Sequence, residues 1–272
     1  MSEEKAAARP APDAMAGRPA AVENAGRPAP IENAGRPAPE EPAPLDLAEK
    51  GRRAGQVISL DRRLFMKFTA FGGCLDAHAA AKALAEDGAQ GALYADANDP
   101  QGIGVMIAAE NPDYFVSELR TLFNRRPFTD FVHKPDFDML GRTYSIGYEQ
   151  DLEETLFKRP LSKMLDPKNV WAIWYPLQRA KKFYTLAPEH QRKILAEHGT
   201  LAHRYAGHAN DVRLACHGLD KSDNDFIVGL VGATLHPLSA IVQEMRKTEQ
   251  TSQYLDSLGP FFVGRAAWQS AG

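Results

Sequence analysis

The chain has 272 residues, which is enough for one large domain or two small ones. Its formal charge of −3 gives no electrostatic reason to expect nucleic-acid binding, and its composition is that of a soluble globular protein. The sequence predicts no membrane span, because no apolar run approaches roughly 18 residues. Cys74 and Cys216 form neither a metal motif nor a disulfide framework, which predicts buried thiols in a reducing compartment and a cytoplasmic location.

Residues 1–55 are predicted to be a disordered N-terminal tail. They contain the repeat Gly-Arg-Pro-Ala, which starts at Gly17, Gly26 and Gly35, and no aromatic residue occurs before Phe65. Such a segment buries too little apolar surface to offset its chain entropy. It is either a solubilising tail or a docking tail for a partner, and the sequence leaves both open.

The folded domain is predicted to span 56–272, with a first half of about 56–165. Its Ala-rich stretch favours a helix, and its alternating stretches favour strands. The predicted elements are strands at 57–60 and 64–71, a helix at 76–87 ended by Gly88, a strand at 103–109, a helix at 111–124 and a strand at 142–148.

The second half, about 166–272, repeats this pattern. The predicted elements are a strand at 170–175 stopped by Pro176, a helix at 188–206 with Gly207 beyond its end, paired strands at 211–216 and 226–231, a last helix opened by Pro237, and a closing strand at 261–264. The two halves predict an α+β fold, in which two ferredoxin-like repeats bring their antiparallel sheets face to face or into a barrel-like core.

His198 is the candidate metal ligand. It lies late in an amphipathic helix that is followed by a glycine turn and a strand, among bulky apolar residues and scattered arginines. A haem protein presents an axial ligand and binds propionates in this way. Taken alone, a histidine is more often a surface or satisfied core residue, and the rivals are His203, His208, His217 and His236.

From about residue 59 to 265 the chain resembles the chlorite dismutase superfamily, and within it most closely the coproheme decarboxylase branch. The first half matches more loosely than the second, and residues 1–55 have no counterpart. The segments that carry the resemblance are Arg142-Thr143-Tyr144-Ser145, Trp174-Tyr175-Pro176, Glu197-His198-Gly199, Arg204-Tyr205-Ala206-Gly207, Gly218-Leu219-Asp220, Glu244-Met245-Arg246 and Gly259-Pro260-Phe261-Phe262-Val263-Gly264.

The resemblance implies a bound haem b or iron-coproporphyrin III, hydrogen peroxide as the second reactant, and a homo-oligomeric ring that is usually a pentamer. It implies that His198 is the proximal iron ligand and that Tyr175 passes an oxidising equivalent to a propionate. Tyr175 could instead be a strand-end core aromatic, and Arg246 a solvated helix arginine. The residues implied to contact propionates are Tyr144, Arg179, Arg246 and Thr251.

The chain departs from the family at the distal position, where chlorite dismutases have arginine and this chain has Asp211. Arg213 follows on the same strand face. A carboxylate there would repel chlorite but could accept a proton from hydrogen peroxide. Alternatively, Asp211 points to solvent or pairs with Arg213, and a shift of one residue would put Asn210 in its place.

Other departures concern the reaction rather than porphyrin binding. Arg179 stands where the decarboxylases usually have lysine, the loop before His198 is shorter, and a tryptophan before the strand at 226 is missing. The sequence favours peroxide-dependent decarboxylation of iron-coproporphyrin III to haem b. The alternatives are a haem b peroxidase that uses the distal aspartate, and a haem or coproporphyrin carrier or sensor without turnover.

Overall fold

A computed structural model describes residues 44–271 and opens on an antiparallel hairpin. The hairpin consists of β1 (Glu49–Arg53) and β2 (Gln56–Leu60), and its turn places Ala54 and Gly55 at positive φ. Its first strand therefore starts inside the segment predicted as a tail. The remainder of that segment, residues 1–43 with the repeat, lies outside the described residues.

The first half has the strand order of a ferredoxin-like repeat. Its elements are β3 (Phe65–Gly72), α1 (Ala77–Glu86), β4 (Gly91–Asp96), β5 (Ile103–Ala109), α2 (Glu118–Phe123), β6 (Val132–His133) and β7 (Met139–Arg142). The strands lie in the order β7-β3-β5-β4, with the short β6 beside β3. Asp76 caps α1 as its side chain accepts from the backbone of His78 and Ala79.

Three predictions for this half need correction. The sequence missed β4 altogether. The predicted helix at 111–124 is interrupted, since a 3-10 turn at Pro112–Phe115 precedes α2. The predicted strand at 142–148 is wrong, because β7 ends at Arg142 and the chain then leaves the sheet.

The helix α3 (Arg159–Leu165) leads from the first half into the second. The elements of the second half are β8 (Trp171–Arg179), α4 (Lys181–Tyr184), α5 (Pro188–His203), β9 (Asn210–Ala215), β10 (Phe226–Gly232), α6 (Leu235–Met245), α7 (Glu249–Tyr254), β11 (Leu255–Leu258) and β12 (Phe262–Gln269). The strands lie in the order β9-β10-β8-β12, the same arrangement as in the first half. The short β11 pairs antiparallel with the last residues of β8.

Two predictions for the second half are wrong. Pro176 does not stop β8, which continues to Arg179. The carbonyl of Pro176 accepts from the backbone N–H of Gly259, so the hydrogen-bonding side of Pro176 faces the junction between β11 and β12. The missing N–H of the proline therefore removes little from the hydrogen-bond ladder. The predicted last helix is two helices, α6 and α7, and Thr248 caps the second.

The two sheets close into a barrel. β7 pairs with β9 and β4 pairs with β12, while β8 and β10 pair to complete the ring. Large side chains fill the interior, and Phe68, Trp174 and Phe262 are each almost completely buried there. The predicted fold of two ferredoxin-like repeats around a barrel-like core is confirmed.

The two outer faces of the barrel differ. In the first half, packed aromatic rings including Phe71, Phe123 and Phe128 fill the space between sheet and helices. In the second half, α6 packs on β8 and β10, while α5 packs mainly against α6 and α7. Across residues 44–271, none of the helices has the length and apolar character needed to cross a bilayer.

Candidate functional site

The outer face of the second half brings together residues from three adjacent strands. Alternation along β8 turns Trp174 into the barrel and Tyr175 outward. In the ladder, Tyr175 lies opposite Val228, which in turn lies opposite Arg213. Asp211 is on the same side of β9 as Arg213, as the sequence predicted. This face therefore places Tyr175 near the carboxylate of Asp211 and the guanidinium of Arg213.

His198 projects from α5 and is partly buried. Its Nδ1 lies 3.4 Å from Thr248 Oγ1, and the Thr248 hydroxyl is 2.8 Å from the carbonyl of Met245. Because that short contact takes the hydroxyl hydrogen, Thr248 Oγ1 is left to accept from Nδ1–H. We therefore assign the proton to Nδ1, which leaves Nε2 with the lone pair that a metal requires.

The electrostatic surroundings keep His198 neutral. Burial lowers the pKa of its imidazole, and the positive charges of Arg213 and Arg179 lower it further. A neutral imidazole is the form that binds iron. The rival histidines differ in their surroundings, since all four are exposed: His203, His208, His217 and His236.

Asp211 is held between two cations. Its carboxylate lies 2.8 Å from Arg213 Nε and 3.0 Å from Lys163 Nζ, and Lys163 also donates to the Asp211 carbonyl. Burial alone would raise the pKa of Asp211, but the two cations outweigh it and the pKa lies below its usual value. The pairing with Arg213 that the sequence left open is present, and Lys163 was not foreseen.

Tyr175 lies in the middle of β8 rather than at a strand end. Its side chain is buried and its ring lies 4.6 Å from that of Phe261. Burial raises the pKa of its phenol, and the charge of Asp211 raises it further. The phenol therefore keeps its proton at neutral pH.

Arg179 and Tyr144 meet at the ring of Phe226. The Arg179 guanidinium stacks 4.5 Å from Phe226 and 4.6 Å from Phe183, and its backbone N–H donates to Asp225 at 2.6 Å. Tyr144 packs 5.6 Å from Phe226. Burial raises the pKa of Tyr144, and the positive charges of Arg213 and Arg179 act against that shift. Both residues thus adjoin the face that carries Tyr175.

Arg246 and Thr251 line a cavity of about 290 Å³ beside the α6–α7 junction. Arg246 is exposed at the end of α6, and Thr251 Oγ1 lies 3.3 Å from Thr248 Oγ1. Thr248 therefore connects this cavity to His198. No sequence pattern indicated Thr248, because its partners only become visible once α6 and α7 are separate helices.

The residues present fit an iron porphyrin. The apolar side chains of Ile173, Leu230 and Ile241 pack in one cluster with Tyr175 on the outer face of the second half. In α5, the helix that carries His198, only Ile194 is fully buried. Among residues 44–271, no group pairs with the buried Nε of Arg179. A cationic donor of this kind suits a porphyrin carboxylate.

Comparison with known families decides the relationship. A sequence profile of the family described as chlorite dismutase matches residues 79–267. The chain belongs to the chlorite dismutase family. The resemblance predicted from the sequence is therefore confirmed, and the matched range contains all the candidate site residues from Tyr144 to Thr251.

Coproheme decarboxylases are among the curated relatives of this chlorite dismutase family member. The chain is 29% identical over 158 residues to the coproheme decarboxylase of Oceanobacillus iheyensis. The matched region covers 55% of this chain and 62% of that protein. The chain is 30% identical over 102 residues to the coproheme decarboxylase of Staphylococcus carnosus, covering 36% of this chain and 40% of the relative. The chain thus matches less than two thirds of the length of either relative.

Solved structures share the fold of this chain. A haem-binding protein from Thermus thermophilus superposes with a TM-score of 0.61 at 18% identity, covering 75% of this chain and 91% of the other. Chlorite dismutase from Candidatus Nitrospira defluvii, in complex with imidazole, gives a TM-score of 0.61 at 15% identity, with 77% and 93% covered. At these identities the likeness shows the fold alone.

Proposed function

We propose that this protein catalyses the hydrogen peroxide-dependent oxidative decarboxylation of iron-coproporphyrin III to haem b. The observation that carries the proposal is a buried tyrosine, Tyr175, on the same sheet face as Asp211 and Arg213, whose charges reach the imidazole of His198. The two curated relatives named as coproheme decarboxylases support it.

The overall chemistry is a two-electron oxidation at each of two propionates. Each propionate side chain becomes a vinyl group as it loses carbon dioxide, one proton and two electrons. For each propionate, one hydrogen peroxide takes up the two electrons, that proton and one further proton from solvent, and becomes two waters. The iron porphyrin, when bound, supplies the oxidising equivalents from peroxide. The protein supplies binding, orientation and a proton acceptor.

Binding would rest on one nitrogen ligand to the iron and on several side chains that donate hydrogen bonds to the porphyrin carboxylates. Nε2 of His198 would hold the iron, since Nδ1 carries the proton. Arg179 would bind a propionate with its guanidinium, which the rings of Phe183 and Phe226 keep in one orientation. Further propionate contacts would come from Tyr144, Arg246 and Thr251.

Tyr175 would deliver the oxidising equivalent. Its phenol is protonated at neutral pH, so its oxidation removes an electron and a proton together. That electron and proton would go to the reduction of peroxide to water. The oxidised ring would then take a hydrogen atom from the β-carbon of a propionate and return to the phenol. The carbon radical left behind would lose carbon dioxide and its second electron, which would pass to the bound porphyrin. Because the ring is packed against Phe261, it would hold one orientation through this cycle.

Asp211 would accept the proton of peroxide, and Arg213 would hold the carboxylate in place at 2.8 Å. The low pKa of Asp211 limits its strength as a base. Two alternatives follow from this pair. A distal acid beside an arginine favours a haem b peroxidase. A carboxylate that already pairs with both Lys163 and Arg213 is a poor proton acceptor, which favours a carrier or sensor without turnover.

The test compares the protein with Tyr175→Phe. Both are mixed with iron-coproporphyrin III, treated with stepwise additions of peroxide, and the products are weighed by mass spectrometry. We expect the parent to lose two carboxyl groups and Tyr175→Phe to bind the porphyrin within a few-fold but not convert it. Tyr114→Phe is the matched control, because Tyr114 packs in the aromatic cluster of the first half, beside Phe115.

The outcomes separate the three functions. A parent protein that binds the porphyrin and converts none of it is a carrier or sensor. A parent protein that oxidises an added reductant with bound haem b and leaves coproporphyrin intact is a peroxidase. Equal conversion by parent and Tyr175→Phe would show that the oxidising equivalent travels by another residue.

The proposal includes a homopentamer, which the family resemblance implies, and a cytoplasmic location, which the free cysteines Cys74 and Cys216 favour. Light scattering on the purified protein, with and without iron-coproporphyrin, would measure the mass of the assembly. A monomer under both conditions would contradict the proposed ring.

A further inference from the structure

The segment that bears Tyr144 leaves the barrel sheet and is held instead by the N-terminal hairpin. The Glu49 carboxylate accepts from Arg142 at 2.8 Å through one oxygen and from the backbone N–H of Ser145 at 2.8 Å through the other. Arg142 and Ser145 flank Tyr144 on either side. One part-buried carboxylate thus binds the side chain of Arg142 before the tyrosine and the backbone of Ser145 after it.

The rest of the hairpin adds to this contact. Ser145 Oγ donates to the carbonyl of Lys50 at 2.7 Å, and the backbone N–H of Arg52 donates to the carbonyl of Glu149 at 2.8 Å. A Cβ added at Gly51 would overlap that same carbonyl oxygen. The hairpin and the segment therefore approach more closely than a side chain at this position would allow.

The far end of the segment is fixed by its own anion. The Glu149 carboxylate accepts from the backbone N–H groups of Ile146, Gly147 and Tyr148 at 2.9–3.0 Å. These bonds replace the sheet ladder that the segment lacks. A segment held at both ends presents Tyr144 to the Phe226 ring in one position.

We propose that Glu49 is a positioning residue for porphyrin binding, which acts by holding Tyr144 where it contacts a porphyrin carboxylate. The inference rests on the proposed function, because it requires that Tyr144 touches the porphyrin. A preformed segment has little conformational entropy left to lose when the ligand binds. The hairpin, which lies outside the second half, thereby contributes to the site.

The experiment is a double-mutant cycle on porphyrin affinity. Glu49→Gln, Tyr144→Phe and the double variant are each titrated in the full chain with iron-coproporphyrin III, and melting is followed to confirm folding. We expect Glu49→Gln to weaken binding about five- to tenfold, and to have no further effect in the Tyr144→Phe background. Ser145→Ala, which removes only a hydroxyl, serves as a milder second variant and should weaken binding about two- to threefold.

The matched control is Asp151→Asn. It removes the exposed contact of 3.6 Å between Asp151 and Arg53, which joins the same hairpin to the same loop without touching the Tyr144 segment. Its affinity should stay within about twofold of the parent. Fluorotyrosine at position 144 gives a readout without ligand, since its ¹⁹F line should broaden or split in Glu49→Gln and stay single in Asp151→Asn.

The outcomes distinguish this inference from the proposed function. If Tyr144→Phe weakens binding and neither Glu49→Gln nor Ser145→Ala does, the positioning role fails while porphyrin binding stands. If the effects of Glu49→Gln and Tyr144→Phe simply add, Glu49 acts on another part of the site and the inference is overturned. If the parent protein does not bind the porphyrin, the proposed function fails, and the inference with it.

Discussion

Thr248 sets which ring nitrogen of His198 carries the proton. Its hydroxyl donates to the Met245 carbonyl and accepts from Nδ1–H, so the orientation of the imidazole depends on how α6 ends. A hydroxyl is a weaker acceptor than a carboxylate. The imidazole of His198 is therefore held in orientation without being pushed towards imidazolate.

Replacing Thr248 tests this role through the tautomer of His198, since the same hydroxyl also caps α7. Thr248→Val should lower the affinity for iron porphyrin about 10- to 100-fold, the usual effect of losing a partner of a metal ligand. Thr248→Ser keeps the hydroxyl and should bind like the parent. ¹⁵N NMR of the protein without porphyrin should show the Nδ1–H tautomer in the parent and Thr248→Ser, and a mixture in Thr248→Val. Equal tautomer populations in all three would contradict the assignment.

The role of Asp211 as a base predicts one variant that reacts more slowly with peroxide and one that reacts faster. Asp211→Asn should slow the reaction of the porphyrin-loaded protein with peroxide about a hundredfold, the lower end of what a general base contributes, because its pKa is low. Lys163→Met removes one of the two cations, which should raise the pKa of Asp211 and speed the reaction about two- to fivefold. Stopped-flow absorbance measures both rates.

The porphyrin affinity is the control for these two variants and should stay within about twofold of the parent. Equal peroxide rates in Asp211→Asn and the parent would exclude Asp211 as the base. A slower reaction in Lys163→Met would show that Lys163 itself acts on peroxide, rather than through the carboxylate.

The sequence could indicate the reactive residues but not what holds them. Tyr175, His198 and Asp211 stand in recognisable motifs, whereas Lys163 reaches Asp211 from 48 positions away and Glu49 reaches Ser145 from 96. Such partners depend on how distant elements pack. No local pattern in the sequence encodes them.

At the scale of elements, local patterns predicted α1, α5, β5, β9 and β10 well because each has a clear period and a defined end. The alternation after Arg142 predicted a strand that does not exist, since β9 offers a partner only at Arg142 and the Glu49 and Glu149 carboxylates bind the backbone beyond it. Pro176 predicted a strand end, but its missing donor falls at the junction between two strands. Partner availability overrode local propensity in both cases.

Gly229 on β10 makes room for the largest core side chain. A Cβ added there would overlap the Trp174 indole, which is fully buried inside the barrel. Gly229→Ala should lower the free energy of unfolding by about 2–3 kcal/mol, because the interior cannot expand around a closed ring of strands. Urea denaturation of the protein without porphyrin measures the change.

Gly199→Ala is the matched control for that variant. Gly199 lies in α5, and an added Cβ would meet no atom within 4 Å. The substitution should raise the free energy of unfolding by about 0.5–1 kcal/mol, because alanine favours a helix interior more than glycine. A Gly229→Ala protein as stable as the parent would mean that the indole has another position available.

At the scale of the whole molecule, the two halves share a fold but not a site. The first half fills the space between its helices and its sheet with aromatic rings such as Phe71 and Phe128. The second half places Tyr175, Asp211 and Arg213 on the equivalent face. The sequence predicted the repeated architecture, and the candidate site lies where the packing of the second half differs from that of the first.

The pH dependence of stability follows from the same face. The folded protein holds the pKa of His198 below the ordinary 6.5 of a histidine, mainly by burial. Between the pKa of the folded protein and the pKa of the unfolded chain, the unfolded chain therefore binds a proton more readily. The stability that this group contributes is therefore present above pH 6.5 and is lost as the pH falls towards the folded pKa. The slope from this one proton is at most about 1.4 kcal/mol per pH unit.

We expect His198→Gln, which cannot titrate, to remove that slope from the protein without porphyrin. Urea denaturation at intervals between pH 5 and 8 would measure it, with His203→Gln, an exposed neighbour on the same helix, as the control that keeps the slope. At lower pH both proteins should lose stability as Asp211 takes up a proton, because its cations hold its pKa below the usual value only in the fold. The same acid slope between pH 5 and 6.5 in His198→Gln and the parent would contradict a neutral, buried His198, and with it the availability of Nε2 for iron.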